Sequence, residues 1–274
     1  MLELPESHSM AKQLNETIQG KVIRNVYANS SPHGFAFFSG EPALYPSLLY
    51  ERKVGESKAV GGMVEITLDT SRLLFGDGIN IRYFESGKPI PKKHQLHIEF
   101  EDDSSLVCTV QMYGGIWAYK EGENTNPYYL VAREKPTPLS DAFDETYFKE
   151  MLCNTKQSIS VKAFLATEQR IPGLGNGSLQ DILFVSSIHP KRKLESLSEE
   201  EVDNLFKSVK KTILEMYTKG GRDTEKDLFG VSGGYHTILS SKTLKNPCPV
   251  CGSAITRQAY MGGNVYYCPI CQPL

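Results

Sequence analysis

At 274 residues, 40% of them hydrophobic and 23% charged, the chain is long enough for two ordinary domains, each with a core, and its composition excludes fibrous and disordered classes. No run approaches the roughly 20 apolar residues that span a bilayer, and the N-terminus has neither the basic start nor the apolar stretch of a secretory signal, so no membrane partner and a cytoplasmic location are expected. A net charge of −2 rules out a globally basic surface, and any contact with a polyanion must come from local clusters.

Apolar residues at Met10, Leu14 and Ile18, with Gly20 as a stop, predict a leading helix over 6–18. Short β-rich runs follow: "KVIRNVYA", "GFAFF", "GGMVEITL", "RLLFG", "INIRYF", "QLHIEF", "SLVCTVQMY" and "GIWAY". Many alternate apolar with polar side chains between turn residues, which predicts a β-sandwich or barrel. The segment "AREKPTPLSDAFD" carries two prolines and a Ser-Asp start signal, and a domain boundary is expected there. Helices are then predicted over 145–152, 161–168, 177–186 and 198–218. The last begins with Ser198 as cap and Glu201 three residues on.

Four of the six cysteines stand as two Cys-x-x-Cys pairs, Cys248/Cys251 and Cys268/Cys271, while Cys108 and Cys153 lie alone. The "GSAITRQAYMGGNVYY" between the pairs alternates like two strands around a Gly262-Gly263 turn. Four soft sulfur ligands in tetrahedral reach favour structural zinc over two disulfides or idle thiols. All four ligands are consumed, so such an ion has no open position for catalysis. Arg257, on the hairpin, either approaches a phosphate or is a solvated strand residue.

In "QRIPGLGNGSLQDILF", Gly173, Gly175 and Asn176 fall between two helical segments. Glycines there let the backbone approach an anion, and the N–H groups opening the next helix can bind phosphate oxygens. Tight helix–helix turns also use glycine for steric reasons alone, and the Lys-Ser/Thr of a nucleotide loop is absent. Downstream, "HPKRK", containing Lys191, is basic, as solvated surfaces often are.

Taken together, N-terminal "ELPE", "QRIPGLGNGSLQDILF…IHPKRK" and C-terminal "CPVCG…YYCPICQ" resemble the formamidopyrimidine-DNA glycosylase / endonuclease VIII family over essentially the whole chain. The resemblance implies an α+β multidomain fold: an N-terminal β-sandwich with a leading helix over 1–133, a helix–two-turn–helix domain over 142–240, and a four-cysteine zinc-finger β-hairpin over 241–274. It implies removal of oxidised bases from double-stranded, damaged or abasic DNA, with backbone cleavage by β-elimination, by a monomeric cytoplasmic protein that sits on the nucleoid when bound to DNA. The damaged base leaves the stack and enters a cleft. An N-terminal amine attacks C1′ of the sugar, and the neighbouring glutamate shuttles protons. By position Glu3 matches that glutamate and Glu6 the second acidic residue of the motif. Asn176 and Lys162 match the residues that grip the backbone, with Gly173 and Gly175 in the phosphate-binding turn.

The chain departs from the family pattern where the chemistry lies. Leu2 stands where the family has a proline, and a bulky second residue keeps Met1 in place. The free amine is then about 3.5 Å further along the chain from Glu3. Gly62 takes the place of a lysine, Gly263 of an arginine and Gln111 of the arginine that fills the gap left by the extruded base. Candidate nucleophiles are the Met1 amine, Lys53 and Lys58. The expected function is a DNA glycosylase; the competing expectations are a glycosylase without lyase action in which Glu3 activates water, a binder of lesions or distorted DNA without catalysis, and a zinc-ribbon protein for RNA or the ribosome. Glu3 otherwise serves as a helix-start carboxylate.

Overall fold

The computed structural model describes residues 2–110 and 112–274. Helix α1 (Leu4–Ile18) starts after Glu3, whose extended backbone (φ −110°, ψ −177°) makes it the N-cap. Pro5 sits in the first turn, where its missing N–H has no partner to lose. Met10, Leu14 and Ile18 enter the core of the β-region together with Leu2, whereas Leu4 enters the core of the helical region. One helix thus pins both halves of the molecule, and each of these buried side chains stabilises it by roughly 1.5–3 kcal/mol.

The β-region runs through β1 (Ile23–Ala28), β2 (Ala36–Phe38), α2 (Tyr45–Leu49), β3 (Val54–Val60), β4 (Met63–Leu68), β5 (Ser71–Phe75), β6 (Ile79–Phe84), β7 (Leu96–Phe100), β8 (Ser105–Val110) and β9 (Gly114–Lys120). One sheet has the order β1-β7-β8-β6 and the other β2-β9-β5-β4-β3; all neighbours are antiparallel except β2 and β9. Ile23, Leu73, Phe75, Ile81, Ile98 and Phe100 fill the sandwich between them. Two elements here were not expected. β3 carries Gly55, Glu56 and Lys58 and a register shift between Val54 and Ser57, which breaks the alternation that marks a strand. The short helix α2 is held by Tyr45, whose hydroxyl donates to the Ile116 carbonyl at 2.7 Å.

Helices α3 (Pro127–Glu134), α4 (Glu145–Cys153), α5 (Val161–Ala166), α6 (Asn176–Val185) and α7 (Glu199–Thr218) follow. The first of these was also unexpected: Asn126 caps it, accepting from the Tyr128 N–H at 2.9 Å. The expected box at the last helix is present: the Glu201 N–H donates to Ser198 Oγ at 3.2 Å and the Ser198 N–H to Glu201 Oε2 at 2.8 Å. Phe148, Phe164, Leu179, Ile182, Leu205 and Val209 form the core. The chain ends in the hairpin β10 (Thr256–Tyr260) and β11 (Gly263–Tyr267). Its turn is Met261-Gly262, one residue earlier than expected, because Tyr260 pairs with Gly263 and both turn residues have positive φ. Asp181 fastens the hairpin's lead-in to α6 by accepting from the Ile238 and Leu239 N–H groups at 2.9 and 2.8 Å. Among the described residues no helix is long and apolar enough to cross a membrane.

Candidate active site

A cleft of about 920 Å³ opens where the sandwich, the start of α6 and the hairpin meet. Leu2, Glu3, Gly62, Asp77 and Tyr113 line it from one side, and Gly173, Gly175, Asn176 and Arg222 from the other. That volume lies in the range of small-molecule pockets and admits an unstacked nucleotide.

Glu3 is buried beside this cleft and is held at every oxygen. Oε1 accepts from the Gly177 N–H at 2.8 Å, and Oε2 accepts from the Ser178 N–H at 2.8 Å and the Ser178 hydroxyl at 2.6 Å. The carboxylate therefore caps α6, where the unpaired amides and the helix dipole favour negative charge. Arg222, in the turn after α7, lies 3.3 Å from Glu3 Oε1 and forks onto Glu6 with Nε and Nη2 at 2.9 and 2.8 Å. Its backbone N–H also donates to Glu6 at 3.0 Å. Burial pushes the Glu6 carboxyl up, but the Arg222 guanidinium and its hydrogen bonds outweigh that and hold it below the ordinary value. Two carboxylates and one guanidinium thus form a buried triad joining α1 to the helical region.

This geometry changes the role expected of the glycine turn. The Gly177 and Ser178 N–H groups, which the sequence offers to a phosphate, are bound to Glu3 instead. Gly173 has φ +81°, and a Cβ there falls 2.2 Å from the Gly62 nitrogen; at Gly175 it falls 2.5 Å from the Glu3 carboxyl. Close packing around Glu3 is what requires glycine at both places.

The remaining basic candidates gather at the hairpin. Lys162 is buried, and its ammonium donates to the Tyr260 carbonyl at 2.7 Å, so it ties α5 to the hairpin and does not reach outward as expected. Lys191 stands 5.2 Å from the centre of the same tyrosine's ring. Arg257 is exposed, with Nε donating to Asn264 Oδ1 at 3.1 Å. Asn176 donates through Nδ2 to the Asn264 carbonyl at 2.9 Å, while its buried Oδ1 has no partner among the described residues. The sulfur atoms of Cys248, Cys251, Cys268 and Cys271 all lie within 4.8 Å of one another. Cys248–Cys271 at 3.8 Å and Cys251–Cys268 at 3.4 Å are near the edge, about 3.8 Å, of a tetrahedron with metal–sulfur bonds of about 2.3 Å. These four cysteines fit a metal ion.

Two of the candidate nucleophiles lie elsewhere. Lys58 does not line the cleft; it pairs with Glu56 at 2.9 Å and lines a separate cavity beside Arg133. Lys53 bridges Val22 at the base of β3 and does not line the cleft. Both follow from the hairpin register, which brings Gly61-Gly62, not a lysine, against Gly173. Met1 and Gln111 lie outside the described residues.

Sequence reasoning missed Arg222 and Asp77. The Gly220-Gly221 turn before Arg222 is visible in the sequence, but its partners are 216 or more residues away. Asp77 sits between two glycines after β5 and accepts from the Tyr113 hydroxyl at 3.0 Å. Burial, followed by the charge of Glu3, raises its carboxyl pKa against the opposing Tyr113 bond, and the Tyr113 phenol is itself pushed up to about 12 by burial and by Asp77.

Residues 135–226 match the model of the formamidopyrimidine-DNA glycosylase H2TH domain. The chain is 26% identical over 279 residues to formamidopyrimidine-DNA glycosylase of Bacillus cereus, covering 100% of this chain and 99% of that protein. It is 29% identical over 282 residues to the Geobacillus kaustophilus protein of the same name, covering 99% and 100%. Among solved structures, the MutM (Fpg) protein of Thermus thermophilus superposes with a TM-score of 0.81 at 22% identity, covering 98% of each chain. Lactococcus lactis Fpg in complex with DNA containing an abasic site gives 0.85 at 22% identity, covering 99% of this chain and 100% of that one. At that identity the structural likeness establishes the fold.

Proposed function

Because this chain belongs to the formamidopyrimidine-DNA glycosylase / endonuclease VIII family, we propose that it is a DNA glycosylase of base excision repair, with lyase action at the resulting abasic site. The observation that carries this reading is Glu3: an acid at the third residue, on the wall of a cleft that admits an extruded nucleotide, held by α6 and Arg222. In its role Glu3 takes and returns the protons of the attack on C1′ and of sugar-ring opening. Glu6 is a positioning residue that holds Arg222. Among the described residues lining the cleft there is no lysine, so the amine of a Schiff base falls to the α-amino group of Met1.

Double-stranded DNA carrying an oxidised base or an abasic site is the partner, bound by a monomer in the cytoplasm and on the nucleoid. Asn176, Arg257 and Lys191 contact its backbone around the hairpin, with Gly173 and Gly175 shaping the cleft beside them. The four cysteines hold zinc, which on binding folds the hairpin and supplies no reactive position. The domains are 1–133 for the sandwich, 142–240 for the helix–two-turn–helix unit and 241–274 for the zinc finger.

The test is base release from duplexes bearing oxidised bases, together with borohydride trapping on an abasic duplex. Wild type is expected to do both, and Glu3→Gln to reduce base release by about 10²–10⁴-fold. Tight binding to lesion DNA with neither release nor trapping would overturn the enzymatic reading.

A further inference from the structure

Resting on the glycosylase reading, we propose that Asp77 is a second catalytic carboxyl, the acid that gives its proton to the departing base while Glu3 serves the attacking side. Both side chains line the same cleft, Glu3 at the start of α1 and Asp77 on the loop between β5 and β6. They face different surroundings. Glu3 has a guanidinium at 3.3 Å, and two amide N–H groups and a hydroxyl donate to its carboxylate. Among the described residues no cation is bonded to Asp77: Tyr113 donates to Oδ2, and the buried Oδ1 has no partner there. Burial, and after it the nearby Glu3 charge, push Asp77 toward the protonated acid and outweigh the Tyr113 bond, the charge of the chain's N-terminus and the Gly78 N–H. Two carboxyls in different surroundings are how one site can divide the acid and base roles.

The step balances. The amine attacks C1′ and its proton passes to Glu3. The C1′–N bond breaks, its electron pair goes to the base nitrogen, and that nitrogen takes the Asp77 proton. The base leaves neutral, and Asp77 regains a proton from solvent after release.

The experiment compares single-turnover base release by wild type and Asp77→Asn on two duplexes. One carries an oxidised base that leaves only when protonated; the other carries a base with a strongly acidic glycosidic nitrogen, which departs as a stable anion. Asp77→Asn is expected to lose about 10²–10³-fold on the first, the usual scale of general acid catalysis, and less than about tenfold on the second. Equal losses on both duplexes, as a structural role predicts, would overturn the inference, as would a loss below about threefold on the first. Wild type that releases neither base overturns the glycosylase reading and the inference with it, whereas failure of Asp77 alone leaves wild-type release intact.

Discussion

Replacing Arg222 by methionine removes the cation of a buried triad and keeps most of its volume. The side chains of Arg222, Glu3 and Glu6 are only 3%, 9% and 7% exposed, so solvent does not replace what is lost. The change removes the bonds at 2.9 and 2.8 Å to Glu6 and the 3.3 Å contact to Glu3, leaving on Glu6 only the backbone N–H groups of residue 222 and Glu3. Breaking a buried pair from one side costs about 3–5 kcal/mol, a large share of the roughly 5–15 kcal/mol that holds a domain folded. With a urea dependence of about 3 kcal/mol per molar, the midpoint falls by about 1–1.7 M. The pH dependence fixes the cause. In wild type Glu6 is held below its ordinary value, so its contribution is present above about pH 4.5 and is lost as pH falls through the lower folded value. Without Arg222 burial dominates, the folded value rises above the unfolded one, and the destabilisation grows as pH rises. Urea unfolding at pH 5 and pH 8, followed by the fluorescence of Trp117, the single tryptophan, measures this. A loss under about 1 kcal/mol at pH 8, or one equal at both pH values, would refute the triad as the joint between the halves.

Two further outcomes concern the hairpin. Chelation of the metal, or Cys268→Ser, should abolish protection of the β10 and β11 amides in hydrogen exchange and weaken binding to abasic DNA by at least tenfold; unchanged affinity would defeat the zinc-finger assignment. Asn176→Ala should weaken DNA binding irrespective of sequence and lower the slope of log K against log salt by about 0.9, as loss of one phosphate contact does. A fixed slope would leave Asn176 only its bond to the Asn264 carbonyl.

What the sequence disclosed and what it hid divide by range. The cysteine pairs are legible because ligand spacing is local, and the α7 start because Ser198 and Glu201 are one turn apart. Most strands are legible because the sandwich buries alternate residues; β3 is not, because its shift and its charged residues break that alternation. The site is harder. Glu3 stands out through the N-terminal motif, but its partners Ser178 and Arg222 come from distant turns whose glycines look the same whether they embrace a phosphate or a side chain. Lys162 reads as a basic residue poised for DNA, yet α5 packs beneath the hairpin and leaves it 4% exposed.

The departures from the family pattern around Glu3 are one packing arrangement, not separate losses. Leu2 is sunk in the sandwich core, and its carbonyl lies 3.3 Å from where a Cβ at Gly62 would stand, with the Gly173 Cα at 3.2 Å. A side chain at position 62 needs one of them to give by a few tenths of an ångström, and a proline at position 2 gives up the burial of the leucine. The cation beside Glu3 is instead Arg222, part of the protein's own fold, so the carboxylate is oriented before any DNA arrives. Preorganisation of that kind serves proton transfer in both halves of the reaction.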